Sequence, residues 1–350
     1  MEIKKRILVA PLNWGLGHAT RCIPIIKALL QHNFNPVIAS DGVALKLLEK
    51  EFPDLESIAL PSYNITYAKK GKNFKLKLIA DSPKWLKAVK QEKKFIKYLI
   101  ETEPFDGIIS DNRLGIYSKK VPSVFISHQL NVLSGNTSWF SSKMHQKIIK
   151  KFDACWVPDV EGNPNLSGKL GHLNQSKINI KYLGPLSRFE KTDCSPLYDL
   201  MVLLSGPEPQ RTFLEEKLLD ELQAYQGAVL FVKGVIEDQQ IKTKKGTLTL
   251  YNFMTSKELE FAINHSKIVL SRSGYTTVLD LAKLEKKAFF IPTPGQYEQE
   301  YLAERLDKLG LVPTCSQDSF SIKNLEAVDN YKGLTCLNQE VDFKDLFGLF

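Results

Sequence analysis

The chain has 350 residues and a formal net charge of +8, and 43% of its residues are hydrophobic and 25% charged. These values predict a globular protein with room for two domains of ordinary size. They exclude a protein that spans a membrane with helices, because no apolar run approaches the ~20 residues that such a helix needs.

The first residues run from a basic stretch straight into the short apolar run at 7–10. That run is too short for the apolar part of a signal peptide and has no small-residue cleavage site after it, so we expect a cytoplasmic protein. The five cysteines are odd in number and scattered, without the paired spacing of a disulfide framework or a zinc site. We therefore expect reduced thiols.

Strands and helices alternate through the first half, which predicts a parallel sheet with helices on both faces. Pro24 is tolerated only in the first turn of a helix, so the first helix should begin close to Ala19 or Thr20. Further helices are predicted at 42–51 and, after a lysine-rich loop, up to about residue 101. The predicted strands are 6–12, 36–40, 57–60, 105–111, 121–127, 153–157 and 178–183.

Polar residues follow three of these strands at their carboxyl ends, the edge where open α/β sheets bind ligands. His18 closes a glycine-containing loop, Asp111 ends the strand at 105–111, and His128 follows the strand at 121–127. At the amino end of a helix, His18 is favoured as a neutral base. Asp111 is the second candidate, as the base or its orienting partner, and His128 is the third. A purely structural histidine is the alternative.

The positive charge is concentrated between Lys69 and Lys97, where aromatic and aliphatic residues are interleaved and only Asp81 and Glu92 oppose the lysines. Such a segment is suited to peripheral contact with an anionic membrane surface. It also fits a lysine-coated helix packed on its own domain. No nucleic-acid-binding module accompanies the charge, so nucleic acid is not an expected partner.

Residues 184–196 have the composition of a linker, and the alternating pattern restarts after them. We therefore predict a first domain at 1–185, a linker at 186–198, a second domain at 199–337 and an amphipathic tail at 338–350. The predicted strands of the second half are 200–204, 228–232, 247–251 and 267–270, and its predicted helices are 212–223, 256–263 and 298–308.

The stretch from Ser271 to Asp280 reads as the end of a buried strand, a tight turn and a helix. Gly274 would let the backbone turn sharply and a ligand approach, while the free N–H groups of the first helical turn form an anion site. Asp280 lies one turn beyond Thr276 and Thr277, where its carboxylate is able to accept hydrogen bonds from the two hydroxyls of a ribose. The pattern predicts a nucleotide site, with a plain glycine turn as the alternative.

Four stretches together resemble the GT-B glycosyltransferases, in particular the group of the bacterial N-acetylglucosaminyltransferase that completes the lipid-linked peptidoglycan precursor, and related predicted glycosyltransferases. The stretches are residues 15–21, 128–135, 206–211 and 271–299. The resemblance spans most of the chain. It implies an α/β protein with two Rossmann-like domains that face each other across a cleft, the first holding the acceptor and the second the nucleotide sugar.

The resemblance also implies roles for individual residues. Asp280 would hold the ribose, Gln299 would contact the donor sugar, and Arg211 and Arg272 would stabilise the leaving diphosphate, although each arginine also fits an ordinary salt bridge. The expected donor-binding residues are Gly206, Arg211, Arg272, Ser273, Gly274, Thr276, Thr277, Asp280, Gln296 and Gln299. The expected acceptor-side residues are Gly15, Gly17, Arg21 and Asn131.

The chain departs from the family pattern at several positions. Pro207 and Pro209 stand where the family has small residues and remove two N–H donors from the phosphate loop. Asp280 replaces a glutamate, and Glu300 replaces a second glutamine, which leaves the donor sugar open. No Asp-x-Asp pair follows a strand, so we expect no metal at the diphosphate and no other cofactor.

The expected activity is an inverting, metal-independent transfer of a hexose or N-acetylhexosamine. The donor would be a nucleotide-diphosphate sugar, with uridine favoured by the resemblance, and the acceptor a glycan or a lipid-linked molecule. Two alternatives stay open. One is a nucleotide-sugar epimerase on the same fold, which needs no acceptor, and the other is a non-catalytic protein that binds sugar nucleotides or glycans.

Overall fold

The computed structural model describes residues 4–63, 74–133, 138–235, 237–337 and 341–350, with the backbone alone at 74–85 and 336. Two separate sheets organise these residues, one of seven strands from the first half and one of six from the second. Each sheet is almost entirely parallel and packs against helices. The predicted α/β class and the pair of Rossmann-like domains are therefore confirmed.

All seven strands of the first sheet run parallel, in the order β3-β2-β1-β4-β5-β6-β7. They are β1 (Arg6–Pro11), β2 (Asn35–Ser40), β3 (Ser57–Ala59), β4 (Gly107–Asp111), β5 (Ser123–Ile126), β6 (Ala154–Val157) and β7 (Ile180–Tyr182). The strand order reverses between β1 and β4, and a doubly wound sheet has its ligand crevice outside the carboxyl ends at this point. The candidate residues His18 and Asp111 follow or end these two strands.

The helices of the first domain are α1 (Gly17–Gln31), α2 (Gly42–Glu51), α3 (Phe74–Thr102) and α4 (Ser138–Ile149). The predicted start of α1 is wrong: the helix begins at Gly17, so Pro24 lies in its second turn. The fully buried stripe that includes Cys22 and Ile26 holds α1 on the sheet despite the N–H that Pro24 lacks. Helix α4 was not predicted, because Trp139 and Phe140 lie on its exposed face and obscure an apolar stripe. The lysine-rich segment falls partly outside the described residues.

The second sheet has the order β10-β11-β9-β8-β12-β13, and only β10 is antiparallel to its neighbour. Its strands are β8 (Tyr198–Leu203), β9 (Val229–Val232), β10 (Lys242–Lys245), β11 (Leu248–Tyr251), β12 (Ser266–Ser271) and β13 (Lys287–Phe290). Its helices are α5 (Gln210–Glu221), α6 (Ser256–Asn264), α7 (Tyr275–Lys283) and α8 (Tyr297–Lys308). Strand β10 was not predicted, because its four residues are exposed and mostly lysine, which suits a protected sheet edge.

The last helix, α9 (Phe343–Phe347), packs against the core of the first domain, although it follows the second domain in the chain. The Phe347 ring lies 5.5 Å from the Phe34 ring and 6.2 Å from the Trp156 ring. The predicted amphipathic tail therefore contributes to the first core. The predicted linker at 186–198 lies between β7 and β8.

The two domains contact each other through residues 158–172 of the first domain and helices α7 and α8 of the second. Buried Asp159 accepts hydrogen bonds from three backbone N–H groups and so fixes this segment. The Tyr275 hydroxyl donates to the Pro158 carbonyl at 2.7 Å, and the Arg305 guanidinium donates to the Asn165 side chain at 2.9 Å. These bonds bring the start of α1 against the start of α7. Within the described ranges, no helix has the length and apolar character needed to cross a membrane.

Candidate active site between the domains

A histidine and a carboxylate meet where β1 and β4 end side by side. His18, in the first turn of α1, has its Nδ1 2.8 Å from Oδ1 of Asp111 at the end of β4. An ionised carboxylate only accepts hydrogen bonds, so Nδ1 carries the proton and Nε2 keeps a lone pair. No residue in the described part of the chain is bonded to Nε2, and the His18 side chain is 15% exposed. This is the geometry of a general base oriented by a carboxylate.

Arg21 completes this pair from one turn further along α1. It is buried, and its Nε donates to Asp111 Oδ2 at 2.9 Å while its Nη2 donates to Oδ1. Burial alone would raise the pKa of Asp111, but the interactions with Arg21 and His18 outweigh burial and lower that pKa to about 2. Asp111 therefore stays ionised near neutral pH. The sequence had placed Arg21 on the acceptor side without recognising this role.

His128 lies beside the pair, but its two ring nitrogens are engaged elsewhere. Nδ1 is 3.3 Å from Arg21 Nη1, and Nε2 is 2.9 Å from Oε1 of Glu298. The ring stacks on Tyr275 of the second domain at 4.1 Å between centroids. Burial lowers the pKa of His128 more than Glu298 raises it, so the ring is neutral near pH 7. His128 is consequently less suited than His18 to take a proton.

The glycine loop brings the two domains close together at one point. A Cβ on Gly17 would lie 2.6 Å from Oγ1 of Thr276, so only glycine lets α1 approach α7 this closely. Gly15 has a φ of +71°, which also favours glycine. Asn131 faces away from His18: its Nδ2 donates to the Lys169 carbonyl at 2.6 Å and so holds the domain-contact segment.

The amino end of α7 has the open approach expected of an anion site, although not for the expected reason. Gly274 has a φ of −66°, so the turn itself does not require glycine. The space in front of Gly274 is open, because a Cβ added there would meet only the Thr277 hydroxyl, at 4.0 Å. Among the described residues no side chain caps this helix, so its first N–H groups remain available to a ligand.

Asp280 lies one turn into α7 and accepts a hydrogen bond from the Ser187 hydroxyl at 2.6 Å. Burial raises the pKa of Asp280 to about 6, against the opposing effects of Arg188 and Ser187. The carboxylate thus faces the segment that joins the domains, and ribose hydroxyls would share it with Ser187. Its predicted role toward ribose stays a prediction.

The two arginines expected at the diphosphate are both engaged by the protein. The Arg272 guanidinium is buried and donates to the carbonyls of Ile291, Pro292 and Gln210, and burial lowers its pKa to about 10. Arg211 is paired with two carboxylates of its own region, those of Glu208 and Glu215. In this structure both guanidinium groups are therefore held mainly by protein partners.

Three buried polar atoms near Gly206 have no hydrogen-bond partner among the described residues: Arg272 Nε, Gln210 Oε1 and Thr293 Oγ1. Thr293 Oγ1 lies 3.6 Å from the point where a Cβ on Gly206 would sit, and Arg272 donates to the carbonyls of Gln210 and Pro292. Buried polar atoms normally find partners. Within the described ranges, Arg272 Nε, the Thr293 hydroxyl and Gln210 Oε1 are therefore unsatisfied polar atoms of the region around the predicted phosphate loop.

The residues expected at the donor sugar do come together beside this loop. Gln299 accepts from the Thr293 N–H at 2.8 Å and donates to the Gln296 side chain at 2.6 Å. The Ser273 hydroxyl donates to the Gln299 carbonyl at 2.8 Å. The start of α8 is therefore fixed against the turn before α7.

Sequence reasoning missed the residues through which the second domain reaches the histidines. Glu298, the neighbour of Gln299, is bonded to both His128 and Gln129, and Tyr275 stacks on His128. From the sequence, a carboxylate in the first turn of a helix is explained by the helix dipole, which favours negative charge at the amino end. No local pattern reveals that Glu298 has a partner 170 residues away.

Comparison with known proteins gives a consistent picture. Residues 210–330 match the model of the glycosyltransferase family 28 C-terminal domain. Over 235 residues the chain is 27% identical to a Buchnera aphidicola protein named UDP-N-acetylglucosamine–N-acetylmuramyl-(pentapeptide) pyrophosphoryl-undecaprenol N-acetylglucosamine transferase, covering 65% of this chain and 60% of that protein. A Haemophilus ducreyi protein of the same name is 24% identical, covering 77% of each.

The fold has close counterparts among solved structures. Acinetobacter baumannii MurG superposes with a TM-score of 0.60 over 99% of this chain and 98% of that one, at 15% identity. Identity this low shows the shared fold and nothing finer.

We predict that Asp280 makes stability fall as the pH rises. Its folded-state pKa of about 6 lies above the ordinary 3.8, so the folded protein binds the proton more tightly than the unfolded chain does. The stabilisation is complete below about pH 4 and is lost by about pH 6. The melting temperature of the wild type minus that of Asp280→Asn should therefore decrease between pH 4 and pH 7. A difference that stays constant, as we expect for exposed Asp318→Asn, would contradict the assignment.

Proposed function

We propose that this GT-B glycosyltransferase, whose residues 210–330 match the glycosyltransferase family 28 C-terminal domain, transfers a sugar from a uridine-diphosphate donor with inversion at the anomeric carbon. The observation that carries the proposal is the His18–Asp111 pair, which lies at the start of α1, and Gly17 of that start approaches Thr276 at the uncapped start of α7. The proposed base and the proposed anion site thus lie on adjoining helix starts of the two domains. Both requirements of glycosyl transfer are met there.

His18 acts as the base in the proposed reaction. An acceptor hydroxyl gives its proton to His18 Nε2 while its oxygen forms a bond to the anomeric carbon of the donor. The bond from that carbon to the phosphate oxygen breaks, and the electron pair leaves with the nucleoside diphosphate. Attack opposite the leaving group in a single displacement inverts the carbon. Asp111 holds the imidazole orientation and stabilises the imidazolium, and Arg21 keeps Asp111 ionised.

The leaving diphosphate is held in the second domain. The first N–H groups of α7 point at the phosphates, because the amino end of a helix favours negative charge. The unpartnered Arg272 Nε and Thr293 hydroxyl supply further donors beside Gly206. These side chains compensate for the two backbone N–H groups that the prolines of this loop lack.

The relatives guide the choice of donor and acceptor. Two of them are named as transferring N-acetylglucosamine from its UDP derivative to a lipid-linked pyrophosphoryl acceptor. We accordingly propose a UDP-linked hexose or N-acetylhexosamine as donor and a lipid-linked glycan as acceptor. Gln296 and Gln299, whose side chains are bonded to each other, are the proposed contacts of the sugar hydroxyls.

We predict that His18→Gln abolishes turnover while donor binding stays intact. Removing a general base typically costs at least about 100-fold in rate, but His18 lies outside the donor domain. UDP should raise the melting temperature of the wild type and the variant equally, and only the wild type should release UDP from UDP-N-acetylglucosamine when a lipid-linked pyrophosphoryl glycan is present as acceptor. His32→Gln, an exposed histidine at the end of α1, is the matched control. A wild type that binds UDP but never turns over would support the non-catalytic alternative.

We predict that turnover needs no divalent metal, since helix amides and side-chain donors surround the diphosphate. Within the described residues, no group of three His, Cys, Asp or Glu side chains is arranged to hold a metal ion. UDP release should be the same in excess EDTA as in added Mg²⁺. Loss of activity in EDTA that Mg²⁺ or Mn²⁺ restores would overturn this part of the proposal.

A basic and apolar face of the first domain suits contact with an anionic membrane. On α4, the side chains of Trp139, Phe140 and Met144 are exposed, and the helix carries lysines but no acidic residue. The ammonium groups of Lys93 on α3 and Lys151 after α4 both lie over the Tyr117 ring, at 4.9 and 5.9 Å, so the two helices share this face. The exposed described lysines of α3 are Lys87, Lys90, Lys93, Lys94 and Lys97. An amphipathic basic helix with aromatic residues is typical of an interfacial contact.

We predict that the pair of substitutions Trp139→Ser and Phe140→Ser weakens binding to vesicles that contain anionic lipid by at least about tenfold, because each ring loses ~1.5 kcal/mol or more of burial. Binding is measured by flotation at low salt. The matched control is Phe213→Ser with Phe261→Ser, two half-exposed rings of the second domain. Wild type that fails to float with these vesicles would remove the membrane contact from the proposal.

A further inference from the structure

Glu298 is the one carboxylate of helix α8 that is bonded across the cleft in the described part of the chain. Its Oε1 is 2.9 Å from His128 Nε2, and its Oε2 accepts from the side-chain amide of Gln129. Both partners follow β5 in the first domain, whereas Glu298 lies in the first turn of α8 in the second. Both carboxylate oxygens are thus occupied by the opposite domain.

The neighbouring acidic residues of α8 are engaged locally, which sets Glu298 apart. Glu300 accepts from the Gly295 N–H of its own loop at 2.8 Å. Glu304 is paired with Lys308 one turn later on the same helix. Glu300 already places a negative charge at the amino end of α8, where the helix dipole favours it. The cross-cleft bonds of Glu298 therefore serve another purpose.

A continuous set of hydrogen bonds leads from Glu298 to the proposed base. His128 donates from Nε2 to Glu298, which leaves Nδ1 as the acceptor for Arg21 Nη1 at 3.3 Å. Arg21 in turn donates to Asp111, and Asp111 is bonded to His18. Glu298 therefore selects the His128 tautomer that is able to accept from Arg21.

The same carboxylate is adjacent to the donor residues. The next residue, Gln299, is bonded to Thr293 and Gln296 at the proposed sugar site, and Ser273 before α7 donates to the Gln299 carbonyl. A shift of the start of α8 toward or away from the first domain would thus move Glu298 and Gln299 together. The first turn of α8 thus connects the residues at the proposed sugar site with the residues that hold Arg21.

We propose that Glu298 is a positioning residue, which holds His128 and Arg21 in the arrangement that orients the Asp111–His18 pair once the donor-binding domain lies against the first domain. The inference rests on the transferase function proposed above. Glu298 touches neither the acceptor oxygen nor the anomeric carbon in this role. Its contribution belongs to the rate of the chemical step and not to donor affinity.

The consequence of removing the charge follows from these contacts. Glu298→Gln removes the charge and leaves one acceptor oxygen where the carboxylate has two, so the His128 tautomer that accepts from Arg21 is held less strongly. The other cross-domain bonds, from Tyr275 to Pro158 and from Arg305 to Asn165, remain, so the folded arrangement of the domains is kept. Arg21 keeps its hydrogen bonds to Asp111, but the His128 ring on its other side is no longer held in one arrangement.

The experiment compares the full-length wild type with Glu298→Gln, Glu298→Asp and the control Glu304→Gln, an exposed carboxylate on the same helix. UDP release from UDP-N-acetylglucosamine in the presence of a saturating lipid-linked pyrophosphoryl glycan acceptor gives kcat and the donor KM, and melting temperature with and without UDP gives folding and nucleotide binding. We expect Glu298→Gln to lower kcat about tenfold, with the KM and the UDP-induced shift within twofold of wild type. Glu298→Asp keeps the charge on a shorter arm and should retain an intermediate kcat. Glu304→Gln should match the wild type.

A double-mutant cycle with His128→Asn distinguishes positioning from a general structural effect. If Glu298 acts through His128, the double variant should lose no more kcat than His128→Asn alone, because the two losses share one path. Losses that multiply would overturn the proposal, as would an unchanged kcat in Glu298→Gln. A raised donor KM at unchanged kcat would also overturn it, since Glu298 would then act as a contact of the sugar. A wild type without turnover would contradict the transferase function itself. An active wild type with any of these results would contradict only the role of Glu298.

Discussion

The buried carboxylate of Asp111 is the constraint on which the candidate site depends. It lies at the end of a fully buried strand, where an unpaired charge would be prohibitively costly, so Arg21 and His18 must both face it. Their spacing of three residues on α1 puts them on one helix face, and the start of α1 is thereby fixed against the end of β4. The orientation of the proposed base is a consequence of satisfying one buried charge.

The same helix start sets how closely the domains meet. Gly17 leaves no side chain between α1 and Thr276, so the start of α1, which carries His18, lies close to the start of α7. A larger residue at this position would separate the base from the anion site. Around this contact, Tyr275 and Glu298 of the second domain enclose His128 of the first. Groups that water would otherwise screen therefore interact in a partly enclosed space, where electrostatic effects are stronger.

The predicted phosphate loop differs from the family pattern in its residues. Its two prolines remove backbone donors, and the unpartnered atoms of Arg272, Gln210 and Thr293 collect beside Gly206. The Arg272 guanidinium donates to three carbonyl groups, and its Nε is buried without a partner among the described residues. Low identity to the relatives agrees with local substitution of this kind within one fold.

The sequence by itself determined the two alternating α/β halves, because continuous apolar runs and helical spacing are local patterns that burial on both faces requires. It also brought His18 and Asp111 to one sheet edge, since carboxyl ends of parallel strands share an edge. Only the tertiary structure decided that Arg21 joins them, that Arg211 and Arg272 face protein partners, and that Glu298 crosses the cleft. It also decided that α9 completes the first core. Such pairings depend on which surfaces meet after folding, and residues far apart in the chain carry no local trace of them.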